Sequence, residues 1–157
     1  MTADRLIYLP LGGAGEIGMN AYVYGYGPAG KERLIVVDLG VTFPDMDTTP
    51  GVDLILPDIS WLKERCNQIE AIFITHAHED HVGGVAHMYR HFNAPIYARP
   101  FTANIAKRKM IEQGHATENV HVVEAMAPVE AGPFTVSYLP ISHSVPESAG
   151  LVIDSPE

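Results

Sequence analysis

Three imidazoles and two carboxylates stand within six consecutive residues of this chain, in Thr75-His76-Ala77-His78-Glu79-Asp80-His81-Val82-Gly83-Gly84. That is the composition of a metal-ligand set. Residues two apart on extended chain project to the same side, so His76 and His78 can converge on one ion. Asp80 and His81 fall where the chain must turn, and a turn can aim a carboxylate oxygen and a third imidazole at a neighbouring position. Two ions about 3.5–4 Å apart, sharing a water or hydroxide, would satisfy such a set. Nitrogen and oxygen donors of this kind suit zinc and also admit manganese. The competing reading is a polar surface loop with incidental histidines, against which the tight spacing and the strand-to-turn context weigh.

Two further residues carry open readings. His143 lies in Pro140-Ile141-Ser142-His143-Ser144-Val145-Pro146-Glu147-Ser148, a Ser/Pro-rich loop after a strand, where a histidine can return to a distant metal site or serve as an ordinary loop residue. Asp38 closes a strand; it is either a turn acceptor or a carboxylate that orients a ligand histidine from behind.

The elements that must position these residues can be read on both sides of the motif. Ala71-Ile72-Phe73-Ile74 is a short buried strand, and residues 85–92 can run as a helix. Upstream, strands near 6–11, 20–26 and 34–38 form a meander joined by Gly-rich turns. Gly13, Gly15 and Gly18 spell G-x-G-x-x-G with Asp38 twenty residues on, the superficial fingerprint of a dinucleotide-binding unit. The aromatic, β-branched run Ala21 to Tyr26, closed by Gly27-Pro28, leaves no room for the helix that unit requires. Residues 40–58 read as an ordered loop; Asp45, Asp47, Asp53 and Asp58 are turn acids or caps before they are metal ligands, Asp58 capping a helix near 59–65. Downstream come a strand at 95–98, a helix from Thr102, as its cap, to Gln113, stopped by Gly114, and strands at 120–123, 134–139 and 151–154. Arg99, Lys107, Arg108 and Lys109 form either a phosphate-facing patch or a solvated helix face. His87 and His91 lack the acid of H-E-x-x-H and read as ordinary helix residues, and His115 and His121 have no ligand-like context.

The chain has 157 residues, 46% of them hydrophobic, enough for one domain that buries roughly two-thirds of its unfolded surface. No apolar run of about eighteen residues suggests a membrane span, so no membrane partner is expected. An acid at position 4 and the lack of a secretory apolar segment place the protein inside the cell, and the single Cys66 agrees with a reducing compartment. A net charge of −9 argues against a chain-wide attraction to nucleic acid, yet bound divalent cations would reverse the local field where a phosphate must sit.

His76-Ala77-His78-Glu79-Asp80-His81 matches the H-x-H-x-D-H signature of the metallo-β-lactamase fold superfamily. Leu11 to Asn20, Asp38-Leu39-Gly40 with Phe43-Pro44, Gly51-Val52-Asp53 with Pro57-Asp58, and His143 to Ser148 together resemble the N-terminal portion of the bacterial ribonuclease J family, of the β-CASP group. The resemblance implies an α/β fold, the αββα sandwich, truncated here to roughly its N-terminal half. It implies two zinc ions per complete site, with manganese or magnesium as alternatives: His76, His78 and His143 resemble the ligands of one, Asp80 and His81 those of the other, and Asp38 matches an aspartate behind them. It further implies a cytoplasmic ribonuclease acting on RNA by 5′-to-3′ exonucleolytic and endonucleolytic hydrolysis through a metal-bound hydroxide, and a homo-oligomer at full length. A bridging aspartate, the β-CASP domain and later histidines of that family are absent, so residues 1–157 read as a partial domain. The alternatives are a thioesterase, lactonase or β-lactamase on the same fold, or a non-catalytic partial metal-binding module.

Overall fold

The structure, a computed structural model, describes residues 3–157. Among the described residues nine strands form two sheets. In the larger sheet β1 (Asp4–Gly12), β2 (Ala21–Pro28) and β3 (Arg33–Val37) are antiparallel neighbours. From β3 onward the sheet is parallel, through β4 (Ile69–Phe73), β5 (Ile96–Ala98) and β6 (Val120–Val122). The smaller sheet is antiparallel, in the order β7 (Val129–Ala131), β8 (Phe134–Pro140), β9 (Ala149–Asp154).

The sequence periods explain which faces are covered. β3, Arg-Leu-Ile-Val-Val, is buried at its last four positions, as a parallel strand covered on both faces must be. Leu34 and Val36 turn toward the helices and Ile35 toward the second sheet. β8 alternates, with Phe134, Val136 and Tyr138 inward and polar residues between them. The helices α1 (Ser60–Lys63), α2 (Glu79–Val82), α3 (Val85–Met88) and α4 (Pro100–Glu112) cover the other face of the large sheet, burying Leu62, Val85, Met88, Ala106 and Met110 against Ile72, Ile96 and Val120. Helices, six-stranded sheet and three-stranded sheet are thus successive layers of the αββα sandwich. Among the described residues no helix covers the outer face of the small sheet.

Two boundaries differ from the expectation. Helix α4 opens at Pro100, with Arg99 in the capping position, and Thr102 is not a cap; it is fully buried in the first turn and its hydroxyl has no partner. Proline at the first helical position, where an N–H is unpaired anyway, sets this start. Of the helix expected across 85–92 the structure keeps one α turn, α3, followed by a 3₁₀ turn at Tyr89–His91; α2 is a separate turn ahead of Gly83-Gly84. A Cβ on Gly83 would meet the Glu79 carbonyl at 2.4 Å, and one on Gly84 the Met88 methyl at 2.4 Å, so both glycines sit where the chain packs closely on itself.

Candidate metal centre

The site lies at the C-terminal ends of β3 and β4, where each strand releases a loop. Asp38, immediately after β3, is buried and adopts a left-handed φ of 64°, a conformation that aspartate tolerates better than most residues. Its carboxylate accepts from the Thr75 backbone N–H at 2.8 Å and from the Thr75 hydroxyl at 2.9 Å. Its Oδ2 also lies 2.7 Å from Nδ1 of His81. An ionised carboxylate can only accept, so the His81 proton sits on Nδ1 and the Nε2 lone pair faces the site. The Thr75 hydroxyl, having given its one proton to Asp38, accepts from Nδ1 of His76 at 2.9 Å, which turns the His76 Nε2 lone pair outward as well. One carboxylate therefore fixes two tautomers, the second through a threonine that the motif alone did not single out.

A second bracket holds Asp80. The Asn20 amide nitrogen lies 3.0 Å from the Asp80 carbonyl, 3.2 Å from its Oδ2 and 3.2 Å from His81 Nε2. The Tyr22 hydroxyl donates to Asn20 Oδ1 at 2.8 Å and so fixes which end of the amide points at the site. Backbone bonds lock the same segments together: Asn20 N–H to Asp80 O, Gly40 N–H to Asn20 O and Leu39 N–H to His81 O, each 2.9 Å. A Cβ at Gly40 would fall 1.7 Å from the Asp80 carbonyl, so only glycine fits there.

His143 arrives from the small sheet. The loop after β8 is tied down by Ile141 N–H to Ser148 O (3.0 Å) and by Ala149 N–H to Thr75 O (3.1 Å). Glu147 accepts the free Phe101 N–H of the first turn of α4 at 2.5 Å. Nothing in the sequence around Glu147 pointed to this anchor, because its partner is 46 residues away. The result is that one nitrogen from each of His76, His78 and His143 lies within 4.8 Å of the other two. His143 Nε2 is 3.2 Å from His78 Nδ1, and Ser144 Oγ is 3.0 Å from His78 Nε2. The His76 and His81 rings are 4.0 Å apart at their centroids, and Asp80 Oδ2 is 3.5 Å from His81 Nε2, so the second pair of candidate ligands adjoins the first cluster.

Three converging imidazole lone pairs fit a divalent ion that keeps a fourth position for water. Burial, and after it the neighbouring His81, His78 and His143, push the His76 pKa down to about 4; His76 is therefore neutral and ready to ligate at neutral pH. Burial also disfavours the His81 cation, but the hydrogen bond and charge of Asp38 outweigh it and leave that pKa raised.

The other candidates lie elsewhere. Asp45 accepts the Asp47 N–H and Asp58 the Ser60 N–H, both at 2.9 Å, as turn and cap acids do. Within the basic cluster, Arg99 pairs with Glu124, Arg108 with Glu112 and Lys109 with Glu79, leaving Lys107 alone as free positive charge. Among the described residues no helix is long and apolar enough to cross a membrane.

The chain is similar to known proteins in both sequence and fold. The chain is 45% identical over 151 residues to Ribonuclease J of Sinorhizobium meliloti, a match covering 96% of this chain and 27% of that protein. It is 34% identical to Ribonuclease J 1 of Streptococcus pyogenes over 94% of this chain and 26% of the relative. The chain thus spans about a quarter of the length of these relatives. Among solved structures, a B3 metallo-beta-lactamase with an active-site glutamic acid superposes with a TM-score of 0.62 at 16% identity, covering 96% of this chain and 55% of that one. The B3 enzyme MEM-A1 from a soil metagenome gives 0.61 at 15% identity, over 99% of this chain and 56% of that one. The Beta-lactamase superfamily domain matches residues 43–157, a span that includes every histidine of the cluster, and the chain belongs to that superfamily.

Proposed function

We propose that residues 1–157 carry part of the metal centre of a ribonuclease that hydrolyses RNA phosphodiesters, both from the 5′ end and internally. The observation that carries the hydrolase reading is the convergence of His76, His78 and His143 within 4.8 Å; the substrate class is supported by the Ribonuclease J relatives. In this reading His76, His78 and His143 hold one ion, zinc before manganese or magnesium, and Asp80 and His81 offer ligands to a second. Divalent ions so held supply Lewis acidity and an activated water. Asp38 keeps the proton on Nδ1 of His81 directly and of His76 through Thr75, and Asn20 holds the Asp80 carboxylate in place. His78 and His143 form the open side, where an anionic phosphodiester approaches. The relatives' greater length supports a partial domain here, with the remaining ligands and an RNA-clamping domain supplied by further chain, in a cytoplasmic homo-oligomer.

The test has two arms. The 157-residue chain, dialysed after zinc loading, should retain about one ion and cleave 5′-labelled RNA negligibly, because two-metal chemistry needs both positions filled. A chain extended to the relatives' full length should retain two and release nucleotides. Two tightly held ions with robust cleavage by residues 1–157 would overturn the partial-site reading. Hydrolysis of thioesters or lactones by the extended chain, with RNA inert, would overturn the substrate class.

A further inference from the structure

A groove of about 450 Å³ opens at the opposite end of the helical layer from the metal centre. Helix α4 has its first turn at the His143 loop, and the residues after its last turn, Gln113 and His115, line the groove. Thirteen residues of helix put about 20 Å between the two places.

The side chains of this groove have an unusual charge balance for a chain of net charge −9. Six of the ten Lys and Arg residues are paired with carboxylates: Arg5, Arg33, Arg65, Arg99, Arg108 and Lys109. The four left, among the described residues, are Lys31, Lys63, Arg90 and Lys107. Two of these, Lys63 and Arg90, line this one groove together with His87, His91 and His115. One carboxylate, Asp58, is also present; its Oδ1 accepts the Ser60 N–H, and the Ser60 hydrogen bonds and then the nearby Lys63 hold its pKa down, so its negative charge offsets part of the positive charge of the groove. His115 Nε2 faces the Ala86 carbonyl at 2.8 Å; a carbonyl only accepts, so that nitrogen carries the proton. The His91 pKa is lowered by burial and then by Lys63 and Arg90, so both positive charges are felt at the groove. Pro57, Ile59 and Met88, each buried, form the apolar floor of the groove.

We propose that this groove is a binding site for a nucleoside monophosphate, whose phosphate is held by Lys63 and Arg90 while its base lies against the Pro57–Ile59–Met88 floor. The volume lies in the range of small-ligand sites. Guanidinium and ammonium groups are the usual partners of phosphate. The site is independent of the hydrolytic reading, because none of its residues belongs to the metal centre.

The experiment is a titration of the metal-free 157-residue chain, followed by backbone amide NMR shifts, with adenosine 5′-monophosphate, adenosine and inorganic phosphate at low salt. The monophosphate should bind saturably and shift amides around Lys63, Arg90 and His115, with adenosine and phosphate each about tenfold weaker or more. Lys63→Gln with Arg90→Gln should weaken it by about tenfold or more, the loss expected for charge-assisted bonds. Lys107→Gln, also unpaired but outside the groove, should leave it unchanged; Lys63 and Arg90 are exposed, and an unaltered amide spectrum verifies the fold. Shifts centred on His76 and His143, binding indifferent to the double substitution, phosphate binding as tightly as the nucleotide, or no saturation at millimolar ligand would each overturn the proposal.

Discussion

Asp38 stands behind two imidazoles at once, through a direct bond to His81 and through Thr75 to His76. Replacing it removes the acceptor that fixes both tautomers, so Asp38→Ala in the complete enzyme should weaken metal affinity by about 10–100-fold; competition with a chromogenic chelator measures this, and unchanged affinity would contradict the role. The His76 shift has its own consequence in the metal-free protein. Its folded pKa, about 4, is below the ordinary value of 6.5, so the unfolded chain takes up the proton first as pH falls. Stability should then drop between pH 6.5 and about 4. His81, raised, acts in the opposite sense: its stabilisation is complete below 6.5 and is lost as pH rises through its folded value. Urea midpoints against pH should show an acid-side loss that is smaller in His76→Gln, and an equal loss in that variant would remove His76 as its source. The candidate ligands of the Thr75 to Gly84 stretch could be singled out in the sequence because imidazole and carboxylate at this spacing have few other uses, whereas His143, far along the chain, stayed open between ligand and loop residue. Thr75, Asn20 and Glu147 were not, because a common polar side chain gains its role only from a partner 37, 60 or 46 residues away.

At the scale of elements, Tyr138 joins the two sheets. It is fully buried on β8, and its hydroxyl reaches the carbonyls of Tyr97 at 2.7 Å and Ile74 at 3.1 Å, at the ends of β5 and β4. Its ring packs near Phe73. Tyr138→Phe keeps the ring and strips the donor, so it should cost about 1–3 kcal/mol, read as a lower urea midpoint; a neutral substitution would mean that the carbonyls are satisfied without it. The strands with strong periods, β2 with its alternating tyrosines and β3 with its continuous aliphatic run, could be read directly. The three-residue β7 could not, since Val-Glu-Ala has no period and takes its structure from pairing with β8. The cap of α4 was misplaced by three residues, Thr102 for Arg99, because threonine is a favoured cap, whereas Pro100 and the Glu147 side chain in fact supply the helix entry.

For the molecule as a whole, the small sheet presents Leu139 and Val152, 45% and 41% exposed, on a face that no described helix covers. Exposed apolar surface of this kind favours association. The 157-residue chain should therefore elute with an apparent mass that rises with concentration, and Leu139→Lys with Val152→Lys should reduce that rise; a concentration-independent monomer would show the face to be innocuous. The cluster also has a history in time. His78 and His143 are separated by 65 residues, Asp80 and Asn20 by 60, and Asp38 and His81 by 43, and such distant pairings are the slow events of folding. On the ribosome, where domains fold as the chain emerges, His76 and His78 appear with Asp38 already made, but the imidazole of His143 comes later, on the loop between β8 and β9. The nascent chain thus offers two nitrogen ligands to passing metal until β8 docks, and tight capture waits for the tertiary fold.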